Sequence, residues 1–334
     1  MAIQTALTQA LGIRVPVVQG GMMWLGLPKL VAAVSNAGGL GILTGLTQPD
    51  PDSLRKAIRE TRKLTSNPFG VNLTFLPTMN PPPYEAFAQA IIDEGVKVCE
   101  TAGGPSAAPI IKILRKANVF VIHKCTSIRH AQSAVKLGVN MLSIDGFECA
   151  GHPGEDDIGG VVLLARAAQE LKVPFLASGG FANGRGLAGA LALGAAGVNM
   201  GTAFMVTNEA EIHPKIKEAM VSADERNTIH IFRTLKNTAR VYKNAVALEV
   251  VAIENRPGGC EFKDIAHLVS GARGKKVYEN GDIDAGIWSC GISVGLLTKI
   301  QSCESFIREV ERDAQEIIRK MARMIDEPKL RAKL

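Results

Sequence analysis

The sequence predicts a parallel α/β barrel of the TIM (β/α)8 type over residues 1–204, followed by a mainly helical C-terminal domain over 205–334 that covers the barrel mouth. Three observations carry this. Short apolar, β-branched runs recur at intervals of roughly 22 to 33 residues, with helix-period stretches between them. Glycine-rich and polar segments stand where most of these runs end. After about Phe204 the alternation stops and longer helical patterns take over.

The eight runs are RVPVV (14–18), GLGIL (39–43), FGVNL (69–73), VKVCE (96–100), VFVIH (119–123), MLSID (141–145), PFLAS (174–178) and GVNMG (197–201). Stretches such as SIRHAQSAVKLG and GRGLAGALALGA carry an apolar helical face and end at glycine. Strand, helix, strand at this spacing gives parallel βαβ units, and eight of them close a barrel. Beyond it, 209–256 and 301–325 read as helical, with a Gly-rich stretch (SGARGKKVYENGDIDAGIWSCGISVG) between them and a frayed basic tail, DEPKLRAKL, at the end.

Composition narrows the functional classes. At 334 residues, 46% hydrophobic and 21% charged, the chain has the make-up of a globular enzyme. No apolar run approaches the roughly 20 residues needed to span a bilayer, so no membrane role is expected. The N-terminus lacks a secretory pattern, and six scattered cysteines without a C-x-x-C pair point to the reducing cytoplasm. A net charge of +6 suits an anionic ligand or a merely basic surface, and 5% aromatics without basic-aromatic clusters argue against nucleic acid. A homodimer is compatible with the sequence.

Barrel enzymes assemble their sites at the C-terminal ends of the strands, and the unusual residues lie there. ASGGFANGRG (177–186) and NMGT (199–202) follow the seventh and eighth runs, the two phosphate-binding positions of such barrels. Gly179 and Gly180 let backbone N–H groups approach a phosphate, and Ser178 and Thr202 offer hydroxyls. In QGGMMW, Gly21 gives flat backbone beside a planar ligand, with Met22 and Met23 in apolar contact. Asn72 would hydrogen-bond ring atoms or cap a strand; Lys124 would meet charge on a reduced ring or stand as a solvated loop cation.

FECAGHPGEDD (147–157) follows the sixth run, which sends His152 toward the mouth. A metal at His152 needs further converging ligands, whereas Glu155, Asp156 and Asp157 stand where they would cap a helix starting near Ile158. No metal is expected, leaving an active-site role or a structural loop histidine. His123, His130, His213, His230 and His267 read as structural or surface residues.

QGGMMWLG, SNAGGLG, GVNLTFLPT, HKCTSIRHA, SIDGFECAGHPGEDD, ASGGFANGRGL, LGAAGVNMGTAF and VSGARGKKVY together resemble the nitronate monooxygenase (2-nitropropane dioxygenase) family of FMN-dependent barrels, across almost the whole chain. The pattern is most similar to the subgroup whose members look like NADH:quinone reductases. The resemblance implies FMN, with its phosphate at Ser178, Gly180, Gly201 and Thr202 and its ring near Gly21, Met22, Met23, Asn72 and Lys124. Ala150 and Gly151 would lie beside the cofactor and His152 over its reactive face as the catalytic residue. The loop NLTFLPTMNPPPY resembles a substrate gate, with Pro77, Asn80, Pro81, Pro82 and Pro83 as its stiff part. The activity implied is oxidation of alkyl nitronates with O2 to a carbonyl compound and nitrite. The alternative is NADH or NADPH reducing a quinone through the same FMN. Two further readings remain: a nucleotide dehydrogenase barrel with a nucleophilic cysteine at Cys125 or Cys149, like inosine monophosphate dehydrogenase, and a passive FMN-binding module.

Overall fold

The computed structural model describes residues 2–75 and 81–325. Eight parallel strands form a closed barrel in sequential order: β1 (Val17–Gln19), β2 (Leu40–Thr44), β3 (Phe69–Phe75), β4 (Val98–Gly103), β5 (Phe120–Cys125), β6 (Met141–Asp145), β7 (Phe175–Ser178) and β8 (Val198–Met200). Closure is made where Val17, Val18 and Gln19 pair with Val198, Asn199 and Met200. The expected TIM barrel is present, with strand edges displaced. The first strand starts after Pro16, which has no N–H to donate to a ladder. The fourth and fifth run two or three residues further than their apolar runs, so Thr101, Ala102 and Gly103 belong to β4 and Lys124 to β5.

Side chains alternate across the barrel wall, and this sorts core from site. Val18, Ile42, Val98, Ile122, Met141 and Leu176 fill the N-terminal half of the interior. Two positions further along the same strands stand Glu100, Lys124, Ser143 and Ser178, all polar. The inward face of the barrel is therefore a plug of aliphatic side chains with a polar floor above it.

After β8 the reading of 209–256 as helical is only partly right. Helices Pro214–Val221 and Ala245–Glu254 flank an antiparallel hairpin, β9 (Thr228–Ile231) and β10 (Ala239–Tyr242). T-I-H-I and A-R-V-Y are short β-favouring runs that a helical window averages away. The Gly-rich stretch also contains a helix, Gly271–Asn280. The final helix, Cys303–Ala322, does not lie over the mouth. It packs on the barrel flank against the helices Gly184–Ala192 and Pro28–Asn36, with Phe306 edge-on to Phe204 at 5.1 Å. The tail DEPKLRAKL lies outside the described residues. Among the described residues, no helix is long and apolar enough to cross a membrane.

The hairpin grips the segment that follows β6. Gly151 and Arg240 exchange backbone hydrogen bonds, at 3.0 and 2.6 Å. Glu155 accepts from the Thr238 N–H at 2.8 Å and its hydroxyl at 2.6 Å. Asp157 accepts twice from Arg233, at 2.8 and 2.9 Å. The Arg240 guanidinium lies 4.6 Å over the Phe147 ring and donates to the Phe147 carbonyl at 3.0 Å. Glu155 and Asp157 therefore do not cap the next helix. That helix begins at Gly160, and its first N–H is taken by Glu148 at 3.0 Å.

His230 in β9 sits edge-on to Phe147 at 4.9 Å, with Arg233 and Arg240 beside it. Burial, with help from the two guanidinium groups against Asp157 and Glu155, pushes its pKa down to about 4. Between that value and the ordinary one near 6.5, the unfolded chain binds a proton that the folded chain refuses. Stability from this group is complete above about pH 6.5 and is lost as pH falls toward 4. The thermal midpoint should fall across this window, and less steeply in His230→Gln; equal slopes in the two proteins would contradict the assignment.

Candidate active site

A cavity of about 1290 Å³ opens at the C-terminal ends of the strands. Its floor is organised by Glu100, fully buried on β4. One carboxylate oxygen accepts from the Gly21 N–H at 2.9 Å and the Asn72 amide at 2.7 Å; the other accepts from the Asn199 amide at 2.8 Å. Asn199 also donates to the Ser143 hydroxyl at 3.2 Å, and Asn72 accepts from Thr74 at 3.0 Å. Three strands and the loop after β1 are thus tied to one carboxylate. A buried carboxylate without such donors costs several kcal/mol, on the order of the desolvation of an ion.

The loop after β1 follows from this. A Cβ on Gly21 would stand 2.3 Å from the Asn72 side chain, so only glycine lets the backbone reach Glu100 there. Thr44 then fixes the next residue: its hydroxyl accepts from the Met22 N–H at 2.8 Å and donates to the Met22 carbonyl at 2.9 Å. Met22, Met23 and Asn72 all line the cavity.

Lys124 is a wall residue of the barrel and not a solvated loop cation. Its ammonium lies 3.5 Å from Asp145 of β6. Burial opposes its charge, but Asp145 and Glu100 outweigh burial and raise its pKa above the ordinary value. Asp145 is itself pushed up by burial, against the pull of Lys124 and a hydrogen bond from Ser178.

At the end of β7, Gly179 and Gly180 hold φ of +81° and +86°, a region side chains rarely adopt. Among the described residues, the N–H groups of Gly180 and Gly201 have no backbone acceptor outside the strand ladder, whereas the Ser178–Asn199 register turns the Gly179 N–H toward the Asn199 carbonyl. Thr202 accepts from the Gly291 N–H at 3.0 Å, which leaves its own hydroxyl proton free to donate. Ser178 pairs with Asp145 across β7 and β6 and its hydroxyl lowers the Asp145 pKa against burial; Ser178 also lines the cavity.

His152 stands in the cavity wall with Ala150 and Gly151, on the segment gripped by the hairpin. Its ring is open to the cavity, yet protein surrounds it closely enough for burial to lower its pKa, against the charge of Glu155. The neutral imidazole is then the dominant form at pH 7, with one nitrogen to accept and one N–H to donate. Cys125 and Cys149 also line the cavity, but burial holds both thiols far above the usual range. Nucleophilic cysteines need the opposite shift, and the cysteine-dehydrogenase reading loses its support.

Pro77 and Asn80 lie outside the described residues. Pro81, Pro82 and Pro83 lead into the helix Tyr84–Asp93 and do not line the cavity. Phe75 and Tyr84, on either side of this loop, meet at 4.5 Å between ring centroids. Glu100 and Asn199 escaped the sequence reading because each looks like an ordinary strand residue. His123, which the sequence presents as a structural strand residue, borders the cavity and bonds Thr101 at 2.8 Å. Residues after β8 also form wall, including Thr238, Gly271, Trp288 and Gly291.

Comparison with known proteins agrees with this architecture. The family model for nitronate monooxygenase matches residues 4–313. A Rhodococcus jostii protein named (3aS,4S,5R,7aS)-5-hydroxy-7a-methyl-1-oxo-octahydro-1H-indene-4-carboxyl-CoA dehydrogenase is 38% identical over 68% of this chain, and the match spans 62% of that relative's length. A probable nitronate monooxygenase of Staphylococcus aureus is 32% identical over 67% of this chain and 74% of its own. The solved structure of FabK from Thermotoga maritima superposes with a TM-score of 0.89 at 33% identity, covering 97% of this chain and all of that one. With the family model covering nearly its whole length, the chain belongs to the nitronate monooxygenase family of oxidoreductases.

Proposed function

We propose that this chain is an FMN-dependent oxidoreductase that oxidises alkyl nitronates with O2 to a carbonyl compound and nitrite. The observation that carries the reading is the sharing of one cavity by three features. They are the N–H groups of Gly180 and Gly201 in the turns after β7 and β8, the flat backbone at Gly21, and His152. The donor set fits a single phosphate monoester; the one G-x-G-x-x-G match in the sequence, GRGLAG at 184–189, lies within the helix Gly184–Ala192 beyond the β7 turn.

In this reading the backbone donors of the β7 and β8 turns, with Thr202, hold the phosphate. Gly21, Met22, Met23 and Asn72 form the bed of the ring system, and Lys124 supplies positive charge where a reduced ring would be negative. FMN, when bound, supplies the electron-accepting ring. His152 does the protein's own chemistry. It donates a hydrogen bond to a preformed nitronate, or takes the proton from the carbon beside the nitro group of a neutral nitroalkane. Residues 205–334 would act as a cap through the hairpin and the Gly271–Asn280 helix, and 77–83 as the entry gate.

A second reading uses the same residues with NADH or NADPH as hydride donor and a quinone as acceptor; the likeness of the NLTFLPTMNPPPY loop to the NADH:quinone reductase subgroup favours it, while Met79-Asn80 and the three prolines at 81–83 depart from that pattern. Anaerobic mixing of the flavin-loaded protein with an alkyl nitronate and, separately, with NADH decides between them. Rapid bleaching by the nitronate is expected; bleaching by NADH alone transfers the assignment to the reductase.

Two variants test the residue roles. Gly180→Asp puts a carboxylate into the phosphate nest at a φ of +86°, and should give folded but largely colourless protein; full flavin loading would show the phosphate is held elsewhere. His152→Ala should keep its flavin yet lose about 10²-fold or more in turnover of a neutral nitroalkane, with a smaller loss on the matching nitronate. In the wild type, turnover of the neutral nitroalkane should rise with pH up to an acid limb lying below 6.5, the ordinary value that burial lowers. Equal losses on both substrate forms would remove His152 from proton transfer.

A further inference from the structure

The cavity is larger than one ring system needs. At about 1290 Å³ it exceeds the roughly 300–1,000 Å³ of ordinary ligand pockets. The surplus has a definite place. On β4 and β5 the residues pointing into the barrel are Glu100, Ala102, Ile122 and Lys124; Thr101 and His123 alternate with them and point outward. His123 nevertheless borders the cavity, together with Ala108 and Ile111 of the helix Ala108–Lys116. Ala134 and Leu137 border it from the helix Ile128–Lys136 and the residue after it. One cavity is therefore lined both by the strand ends and, as a side lobe outside the barrel wall, by these two helices, with Gly103 and Thr126 also on its lining.

The inner part of this lobe is aliphatic. Ala108, Ile111, Ala134 and Leu137 form it, while His130 and Ser133 border it from the exposed side of the helix Ile128–Lys136. Its floor is His123, whose Nδ1 is occupied by Thr101 at 2.8 Å. Burial brings the pKa of His123 down to about 4, so the floor is uncharged at neutral pH. The polar side chains of this helix that line the cavity, Arg129, His130 and Ser133, are all exposed and stand at the outer rim.

We infer that the side lobe between the helices Ala108–Lys116 and Ile128–Lys136 is a subsite for a straight aliphatic chain of the substrate, whose small anionic head group reacts at the mouth beside His152. The inference rests on the proposed reading in one respect: the mouth accepts a compact anionic head. The lobe makes the enzyme selective for chain length, because each methylene that enters leaves water for aliphatic walls.

Binding separates this from turnover. Straight-chain carboxylates share the planar, singly charged head of a nitronate and need no reaction. Calorimetric titration of the flavin-loaded protein with the series from acetate upward should show affinity rising about three- to fourfold per methylene until the lobe is full. Leu137→Trp and, from the opposite wall, Ala108→Phe should flatten the series while leaving acetate affinity and flavin content as in the wild type. A flat series in the wild type, or a steep one in both variants, overturns the subsite. A steep series that the variants flatten, in a protein that fails to oxidise nitronates, would uphold the subsite and discard only the reaction.

Discussion

The buried carboxylate of Glu100 is the constraint around which the mouth is built. Placed inside the barrel with no solvent exposure, it is tolerated because Gly21, Asn72 and Asn199 turn three donors onto it. Each donor is also a site element. Gly21 belongs to the flat loop after β1, Asn72 stands in the inward row of β3, and Asn199 precedes the glycine turn of β8. Satisfying one buried charge thus sets the relative positions of the surfaces proposed to hold a planar cofactor. The Lys124–Asp145 pair continues the same polar floor on β5 and β6, and Ser178 joins it to β7.

His152 depends on a different device. Its glycine-flanked segment has no rigid element of its own, and the β9–β10 hairpin supplies one through Gly151, Glu155 and Asp157. The residues after the barrel are therefore part of the site. The acids that looked like helix caps hold the histidine segment, and the capping falls to Glu148. The division of labour is physical: the barrel positions backbone donors, and the hairpin positions the proposed proton-transfer group.

Much of this was legible in the sequence because barrel periodicity is strong. All eight strands lie on or overlap the apolar runs, and the glycine turns at 179–180 and 201 lie at the ends of β7 and β8. What escaped has particular causes. The hairpin has two short strands inside a region rich in helix formers, so its period was swamped. Lys124 was placed beyond its strand because a charged residue ends an apolar run, although inside a barrel wall an opposite charge on the next strand makes it tenable. Glu100 and Asn199 carry no motif, and their role is visible only when distant strands are closed into a ring. His123 was legible as a strand residue but not as the floor of a lobe, since that depends on small side chains two helices away.

The central claim is that one phosphate site and one planar bed in this cavity hold FMN. The most direct measurement is release of the chromophore from the purified wild-type protein by heat or acid, followed by chromatography and quantification against protein. The account predicts FMN in close to equimolar amount to the chain. Recovery of FAD, or of protein that binds no flavin when supplied with it, would contradict it.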